Sequence, residues 1–145
     1  MDPRKQLTDL QIWHAIDQCD AKGVILKLGG LNSTINDQES NLSRGEKQII
    51  CMIRALLCQV KILCLDEATS SLDQAMEEHI CKTVKRAFAR STVLMISHRP
   101  SSCLNCDSVM VISDARLIEH DTPDSLLLNQ SSVFHKMWLH QQNKM

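Results

Sequence analysis

Apolar residues recur every three or four positions through much of the chain, and this spacing predicts helices that bury one face. The predicted helices cover residues 1–28, 43–58 and 72–89, with two more after Thr122-Pro123. Thr8 or Asp9 is the expected cap of the first helix. Ser71 and Gln74 fit a capping box for the third. Residues 29–41 are rich in Gly, Asn and Ser and predict a loop.

Two short runs of consecutive apolar residues lie between these helices. Residues 62–65 and 92–97 lack polar alternation, as expected of neighbouring parallel strands covered by helices on both faces. Residues 108–112 and 116–120 predict a hairpin. Helices that alternate with apolar strands predict an α/β fold.

Composition narrows the class of protein. The 145 residues suit one domain, and 16 basic against 17 acidic residues give a net charge of −1, so no nucleic-acid partner is expected. The seven scattered cysteines, with no signal peptide before them, favour a reducing, cytosolic setting. Cys103 and Cys106 form a C-x-x-C match. It indicates a metal or redox site or, more simply, two reduced thiols around a short helix, because structural zinc needs a second ligand pair.

Adjacent carboxylates follow the first apolar strand. Asp66 and Glu67 stand at its end, where open α/β sheets place their ligand chemistry. Phosphoryl transfer uses one acid near Mg²⁺ and another group that orients the attacking water. Asp66 suits the metal and Glu67 the water, although a solvated strand end would look the same in the sequence.

A serine–glycine turn opens the second helix. Ser43 can cap the helix, whose N-terminus carries a partial positive charge. Gly45 would let a backbone N–H approach an anion with no Cβ in the way. An ordinary capped helix with a glycine in its first turn is the simpler interpretation of this segment alone.

Two further residues stand near these elements. His98 follows the second apolar strand and could hydrogen-bond a phosphate or the attacking water, or be a satisfied histidine without function. Asp73 is an acid at a helix start, which the helix dipole favours in any protein.

The order and spacing of these segments resemble ATP-binding cassette (ABC) ATPases over essentially the whole chain. The similar segments are 42–46 (signature motif), 62–67 (Walker B strand with its glutamate), 71–73 (D-loop) and His98 (switch histidine). Ile12-Trp13 and Gly30-Leu31 resemble the helical subdomain of subfamily C, the multidrug-resistance-associated transporters. The second nucleotide-binding domain of these proteins is the nearest likeness.

The resemblance implies an incomplete P-loop NTPase-type fold, a largely parallel sheet flanked by helices whose N-terminal strands are missing. Residues 1–42 would be the remainder of the helical subdomain, and residues 43–145 would carry the signature helix, Walker B, D-loop, H-loop and C-terminal helices. The family implies ATP and Mg²⁺ as cofactors and ATP-driven export as the activity. It implies partners too, namely a second nucleotide-binding domain and transmembrane domains, with the chain at the cytoplasmic face of a membrane.

The resemblance also implies a role for each matching residue. The residues concerned are Ser43, Gly45, Glu46 and Asp73 for nucleotide contact, Asp66 for Mg²⁺, and Glu67 and His98 for catalysis. In the family, the signature motif touches a nucleotide held by the partner domain, and the Walker B acids serve a nucleotide on their own domain.

The chain departs from the family pattern in ways that matter. It contains no G-x-x-x-x-G-K-[ST] loop, so it is not expected to hydrolyse ATP alone. Glu46 stands where subfamily C typically has glutamine, and Asp114-Ala115 lacks the glycine that a primed hairpin turn prefers. Missing strands would leave an unpaired sheet edge, so we expect the isolated chain to be marginally stable or to aggregate.

Two other classes of protein remain open. SMC/Rad50-type ATPase lobes also carry these motifs without a phosphate loop, but the sequence before Ser43 has no sustained heptads of a coiled coil. A non-enzymatic decoy that binds an intact cassette would have the same sequence features.

Overall fold

The computed structural model describes residues 6–34, 42–70 and 72–143. The elements in chain order are α1 (Asp9–Gln18), α2 (Lys22–Lys27), α3 (Arg44–Leu57), β1 (Ile62–Asp66), α4 (Gln74–Ala87), β2 (Thr92–Ile96), α5 (Pro100–Cys103), β3 (Val109–Ser113), β4 (Arg116–Asp121), α6 (Pro123–Leu128) and α7 (Val133–Gln142). They form two compact units, Met1–Ile96 and Ser97–Met145. The predicted α/β class, with a parallel sheet and flanking helices, is confirmed. The proposed subdomain boundary after residue 42 stays a prediction.

The first helical region consists of two helices. Thr8, one of the two predicted candidates, caps α1 and forms a reciprocal capping box with Gln11. The helix ends at Gln18, and Asp20 has a φ of 50°, a left-handed conformation that a helix cannot continue through. The prediction of helix throughout residues 1–28 is therefore wrong between α1 and α2, and its first five residues lie outside the described ranges.

The helix α4 begins later than predicted. Its cap is Asp73, whose side chain accepts a hydrogen bond from the N–H of Met76. The capping box assigned to Ser71 and Gln74 is wrong, since Gln74 is the first helical residue; Ser71 itself lies outside the described residues. A helix takes only one cap, and the acid two positions later has that role.

The core of the first unit is formed by α1 to α4, which pack on one face of the β1–β2 sheet. Its buried apolar residues are Ile12, Ala15, Ile16, Cys19, Ala21, Ile25, Ile49, Ile50, Met52, Ile53, Leu72, Ile80, Val84 and Phe88. The predicted apolar stripes of α3 and α4 supply six of these fourteen residues, namely Ile49, Ile50, Ile53, Ile80, Val84 and Phe88. Helix periodicity therefore identified the buried faces correctly.

The strands β1 and β2 pair in parallel, as predicted, with Asp66 in register with Ile96. Leu63, Leu65 and Val93 pack against the core. The alternate side chains form what we call the open face, namely Ile62 (62% exposed), Cys64, Leu94 (47%) and Ile96 (62%). Successive strand residues point to opposite faces. The prediction that helices cover both faces is therefore wrong for the described residues.

The second unit contains the predicted hairpin. The strands β3 and β4 pair antiparallel and are joined by Asp114 and Ala115, whose φ angles of 48° and 59° are those of a primed turn. Thr122 caps α6 with Pro123 at the first helical position, as predicted. The buried core of this unit is Val109, Val111, Leu126 and Phe134.

The carboxylate of Glu119 on β4 holds the start of α7. It accepts hydrogen bonds from the hydroxyl of Ser132 (2.9 Å) and from the N–H groups of Val133 (2.7 Å) and Phe134 (3.1 Å). Burial would raise the pKa of Glu119, but these hydrogen bonds and Lys136 lower it below its usual value. The second unit thus depends on an ionised carboxylate at a helix N-terminus.

None of the helices within the three described ranges combines the length and apolar character needed to cross a lipid bilayer.

Candidate functional site

Residues 43–46, which we call the signature turn, form the N-terminus of α3. The hydroxyl of Ser43 accepts a hydrogen bond from the N–H of Glu46 (3.2 Å), so Ser43 caps the helix as predicted. In return, the Glu46 carboxylate accepts one from the N–H of Ser43 (2.7 Å). Two backbone donors are thereby satisfied within the motif itself.

A lysine from another helix joins this turn. The ammonium of Lys27, at the end of α2, lies 3.2 Å from Oε1 of Glu46. The pKa of Glu46 is lowered, chiefly by the hydrogen bond from the Ser43 N–H, with Lys27 adding to the effect and burial opposing it. Glu46 is thus held ionised, and Lys27 offsets its charge. No local pattern links positions 19 residues apart, so this pair could not be predicted from the sequence.

Gly45 has a packing role that the sequence did not reveal. It is buried, and a Cβ at this position would lie 2.7 Å from Cγ and 2.9 Å from Sδ of Met76, on α4. Real Cβ atoms do not approach other heavy atoms so closely. Glycine at position 45 therefore leaves room for the Met76 side chain, which would have to move if a Cβ were present.

Asp66 and Glu67, which we call the acid tip, lie at the carboxyl end of the parallel sheet. Both residues are exposed. The N–H of Glu67 donates to the carbonyl of Ile96 (3.0 Å), which extends the β1–β2 pairing one residue beyond Asp66. Glu67 then turns, with a φ of 44°. A left-handed conformation costs a non-glycine residue about 1–2 kcal/mol, and such strain is concentrated at functional sites.

Asp73 and His98 occupy two different settings. Asp73 caps α4 through Oδ1, 3.0 Å from the N–H of Met76. His98 is exposed and belongs to the second unit, two residues after the end of β2. The preceding Ser97 accepts a hydrogen bond from the N–H of Arg99 (3.0 Å) and so forms a tight turn around His98.

The described side chains do not form a metal site by themselves. Among the described residues there is no group of three or more His, Cys, Asp or Glu that could hold a metal ion. Mg²⁺ commonly takes only one or two protein carboxylates and completes its shell with water and substrate phosphates. The exposed oxygens of the acid tip therefore fit a phosphate-bound Mg²⁺ rather than a site made of protein ligands alone.

The chain was compared with known protein families and with curated proteins. A family model described as "ABC transporter" matches residues 3–70. The chain is 39% identical over 137 residues to mouse ATP-binding cassette sub-family C member 10, covering 94% of the chain and 9% of that protein. It is 38% identical over 138 residues to human sub-family C member 4, covering 94% and 10%.

A plant relative extends the same pattern. The chain is 41% identical over 138 residues to Arabidopsis thaliana ABC transporter C family member 3, covering 94% of the chain and 9% of that protein. The chain therefore belongs to the ATP-binding cassette family, as part of a nucleotide-binding domain. Within that family its relatives are of subfamily C, and it spans about a tenth of their length.

Proposed function

We propose that the chain is the C-terminal portion of an ATP-hydrolysing domain, most like the second such domain, of a transporter that couples ATP hydrolysis to export. It would act at the cytoplasmic face of a membrane, together with transmembrane domains. The main support is one observation: the parallel pairing of β1 and β2 brings Asp66 and Glu67 to the end of the sheet, in a chain alignable with subfamily C over 94% of its length. ATP and Mg²⁺ are the family's cofactors.

The signature turn would contact a nucleotide held by a second domain. The N-terminus of α3 offers a partial positive charge, and Ser43 offers a hydroxyl there. Glu46 is ionised and paired with Lys27, and its carboxylate accepts a hydrogen bond from the N–H of Ser43. This hydrogen bond would orient Ser43. Gly45 leaves room at this end of α3 for the side chain of Met76.

The acid tip would serve a nucleotide on the chain's own domain. Asp66 would hold Mg²⁺ through a carboxylate oxygen, directly or through water. Glu67 would accept a hydrogen bond from the attacking water and orient it. By its resemblance to the switch histidine of the family, His98 would contact the nucleotide. Asp73 would connect this site to the partner domain, in addition to capping α4. Bound MgATP supplies the phosphoryl group and the charge that these residues act on.

The phosphate loop must come from residues other than these 145, which contain no G-x-x-x-x-G-K-[ST] sequence. Without its lysine and backbone N–H groups, an ATP triphosphate has little to hold it near the acid tip. We therefore expect no ATP turnover by the chain alone. Robust Mg²⁺-dependent hydrolysis by the purified chain, abolished in Glu67→Gln, would refute this expectation.

The signature turn can be tested in trans. The assay mixes the chain with a complete subfamily C cassette whose own signature serine is replaced by alanine, and measures ATP turnover. We expect the chain to restore turnover and the Ser43→Ala variant to fail. Thr8→Ala is the matched control, because it removes the cap of an equivalent capping box at α1, far from the motifs in sequence. Equal turnover with both variants would remove the signature turn from the proposal.

A further inference from the structure

The C-x-x-C pair has a geometry that the proposed ATPase role does not use. Cys103 is the last residue of α5, and the N–H of Cys106 donates to the carbonyl of Cys103 (3.0 Å). A turn closed by such a bond keeps its end Cα atoms within about 7 Å. Disulfides join Cα atoms about 4.4–6.8 Å apart. The backbone therefore places the two Cα atoms within the range that a disulfide can span.

Access and surroundings favour thiol chemistry at this pair. Both residues are half-buried, so neither cysteine is sealed in the core. A structural zinc ion takes four ligands, and no group of three candidate ligands occurs within the described ranges. The chemistry open to Cys103 and Cys106 is then that of a dithiol.

Four of the other five cysteines differ in burial from the pair and serve as internal references; Cys81 is half-buried like the pair but has no cysteine three residues away. Cys51, Cys58 and Cys64 are exposed, and none has another cysteine three residues away. Cys19 is fully buried, and burial raises its pKa to about 11, with Arg86 opposing and Asp20 reinforcing the effect. A buried, protonated thiol is a poor nucleophile.

We propose that Cys103 and Cys106 form a reversible redox site that closes to an intramolecular disulfide by exchange with a small disulfide such as oxidised glutathione. One cysteine thiolate attacks a glutathione sulfur, forms a mixed disulfide and releases one glutathione thiolate. The second cysteine thiolate attacks the protein sulfur of that mixed disulfide and releases the other glutathione. Two protein thiols are oxidised, one glutathione disulfide is reduced to two thiols, and the protons lost by the cysteines go to the released thiolates.

Closure would fix the short segment that follows His98. The helix α5 begins at Pro100, and its Ser102 is buried with Oγ 3.3 Å from Oγ of Ser97. Its Ser101 exchanges two hydrogen bonds with the side chain of Gln141 on α7. A bond at the far end of α5 would remove the freedom of the turn that connects it to β3. The redox state of the pair would thereby set how firmly the His98 segment is held.

The test equilibrates the 145-residue chain, at low concentration, with buffers of increasing oxidised-to-reduced glutathione ratio. Samples are quenched with acid, the remaining thiols are alkylated, and the peptides are analysed by mass spectrometry. We expect a Cys103–Cys106 link that carries no glutathione, at ratios where Cys51, Cys58 and Cys64 carry glutathione or remain reduced. We also expect half of the chains to carry the Cys103–Cys106 link at a several-fold lower ratio of oxidised to reduced glutathione in native buffer than in urea. The reason is that the folded turn already holds the two cysteines near each other.

Variants separate this site from general thiol reactivity. Cys103→Ser and Cys106→Ser should each leave the remaining cysteine as a lasting glutathione adduct, since the second exchange cannot occur. Cys51→Ser is the matched control and should leave the link unchanged. Three outcomes would overturn the proposal: separate glutathione adducts on both cysteines of the unmodified chain, links between two chains through these cysteines, or equal half-oxidation ratios in native buffer and in urea.

Discussion

The signature turn and the acid tip differ in how much of the chain holds them. At the signature turn, Ser43 and Glu46 hydrogen-bond each other, and Met76 fills the space beside Gly45. At the acid tip both side chains are exposed, and Glu67 keeps a left-handed backbone conformation. One motif is built into the packing of its own unit, whereas the other presents carboxylates to solvent on a strained turn.

This difference has a consequence for mutation. Residues of the signature turn contribute to stability, so changes there should lower the free energy of unfolding before any effect on a ligand is felt. Strain at the acid tip should make some changes there stabilising, at the expense of chemistry. The four predictions below test this contrast, and each is measured by urea unfolding of the chain at low concentration.

The largest effect is expected from Gly45→Val. The new side chain meets Met76, and overpacking of this kind costs about 2 kcal/mol. Met76→Ala should open the space, so that the valine costs at least about 1 kcal/mol less in that background. An equal cost in both backgrounds would mean that contact with Met76 is not why position 45 is glycine.

The second largest effect is expected from removing Ser43, the cap of α3. Ser43→Ala should lower stability by about 1 kcal/mol, and Ser43→Gly by only a few tenths. Thr8→Ala, at the other capping box of the first unit, should cost about the same as Ser43→Ala. If Ser43→Ala leaves the urea midpoint unchanged, the signature turn is not stabilised by its own cap.

At the acid tip the strain itself can be measured. Glu67→Gly should be more stable than Glu67→Ala by about 0.5–1 kcal/mol, because both variants remove the carboxylate and only glycine adopts the φ of 44° without strain. The contrast between the regions fails if glycine is no better than alanine at this position.

The smallest effect is expected from breaking the ion pair between Lys27 and Glu46. Lys27 is 55% exposed and Glu46 16%, so Lys27→Met should cost only about 0.3 kcal/mol at neutral pH. The folded pKa of Glu46 lies below 4.5, so its contribution is present above about pH 4.5 and is lost as the pH falls through the folded pKa.

Removing Lys27 brings that pKa closer to 4.5, so the loss of stability below pH 4.5 should become shallower. Urea midpoints measured between pH 3 and 6 would show this as a smaller fall in stability below pH 4.5, with a difference of about 0.3 kcal/mol. Lys82→Met is the matched control, because Lys82 pairs with Glu78 outside the signature turn. An identical fall in stability below pH 4.5 in Lys27→Met and the unmodified chain would exclude a role for Lys27 at the turn.

Local features of the fold could be predicted from the sequence. Caps at Thr8, Ser43 and Thr122 were identified because a cap bonds a residue only a few positions away. The same reasoning was wrong at α4, where Ser71 and Asp73 are both suitable caps and the sequence does not decide between them. Strand neighbours were predicted because parallel strands joined by a helix usually lie side by side.

Features that depend on distant contacts could not be predicted. The pairing of Lys27 with Glu46 and the packing of Met76 on Gly45 each join two helices, and no spacing rule links them. The apolar runs of β1 and β2 predicted that both faces of the sheet are buried. Burial of a face depends on whether another element packs against it, and the runs themselves do not show that. The left-handed turn at Glu67 was also missed, because glutamate carries no local signal for it.

The open face also affects what becomes of the chain inside a cell. Ile62, Leu94 and Ile96 present a row of aliphatic side chains to water, the kind of surface that holdase chaperones retain and that marks a polypeptide for degradation. Faster degradation would then lower the steady-state abundance of the chain at an unchanged rate of synthesis. A binding partner that covers this row would lengthen the half-life of the chain without touching either motif.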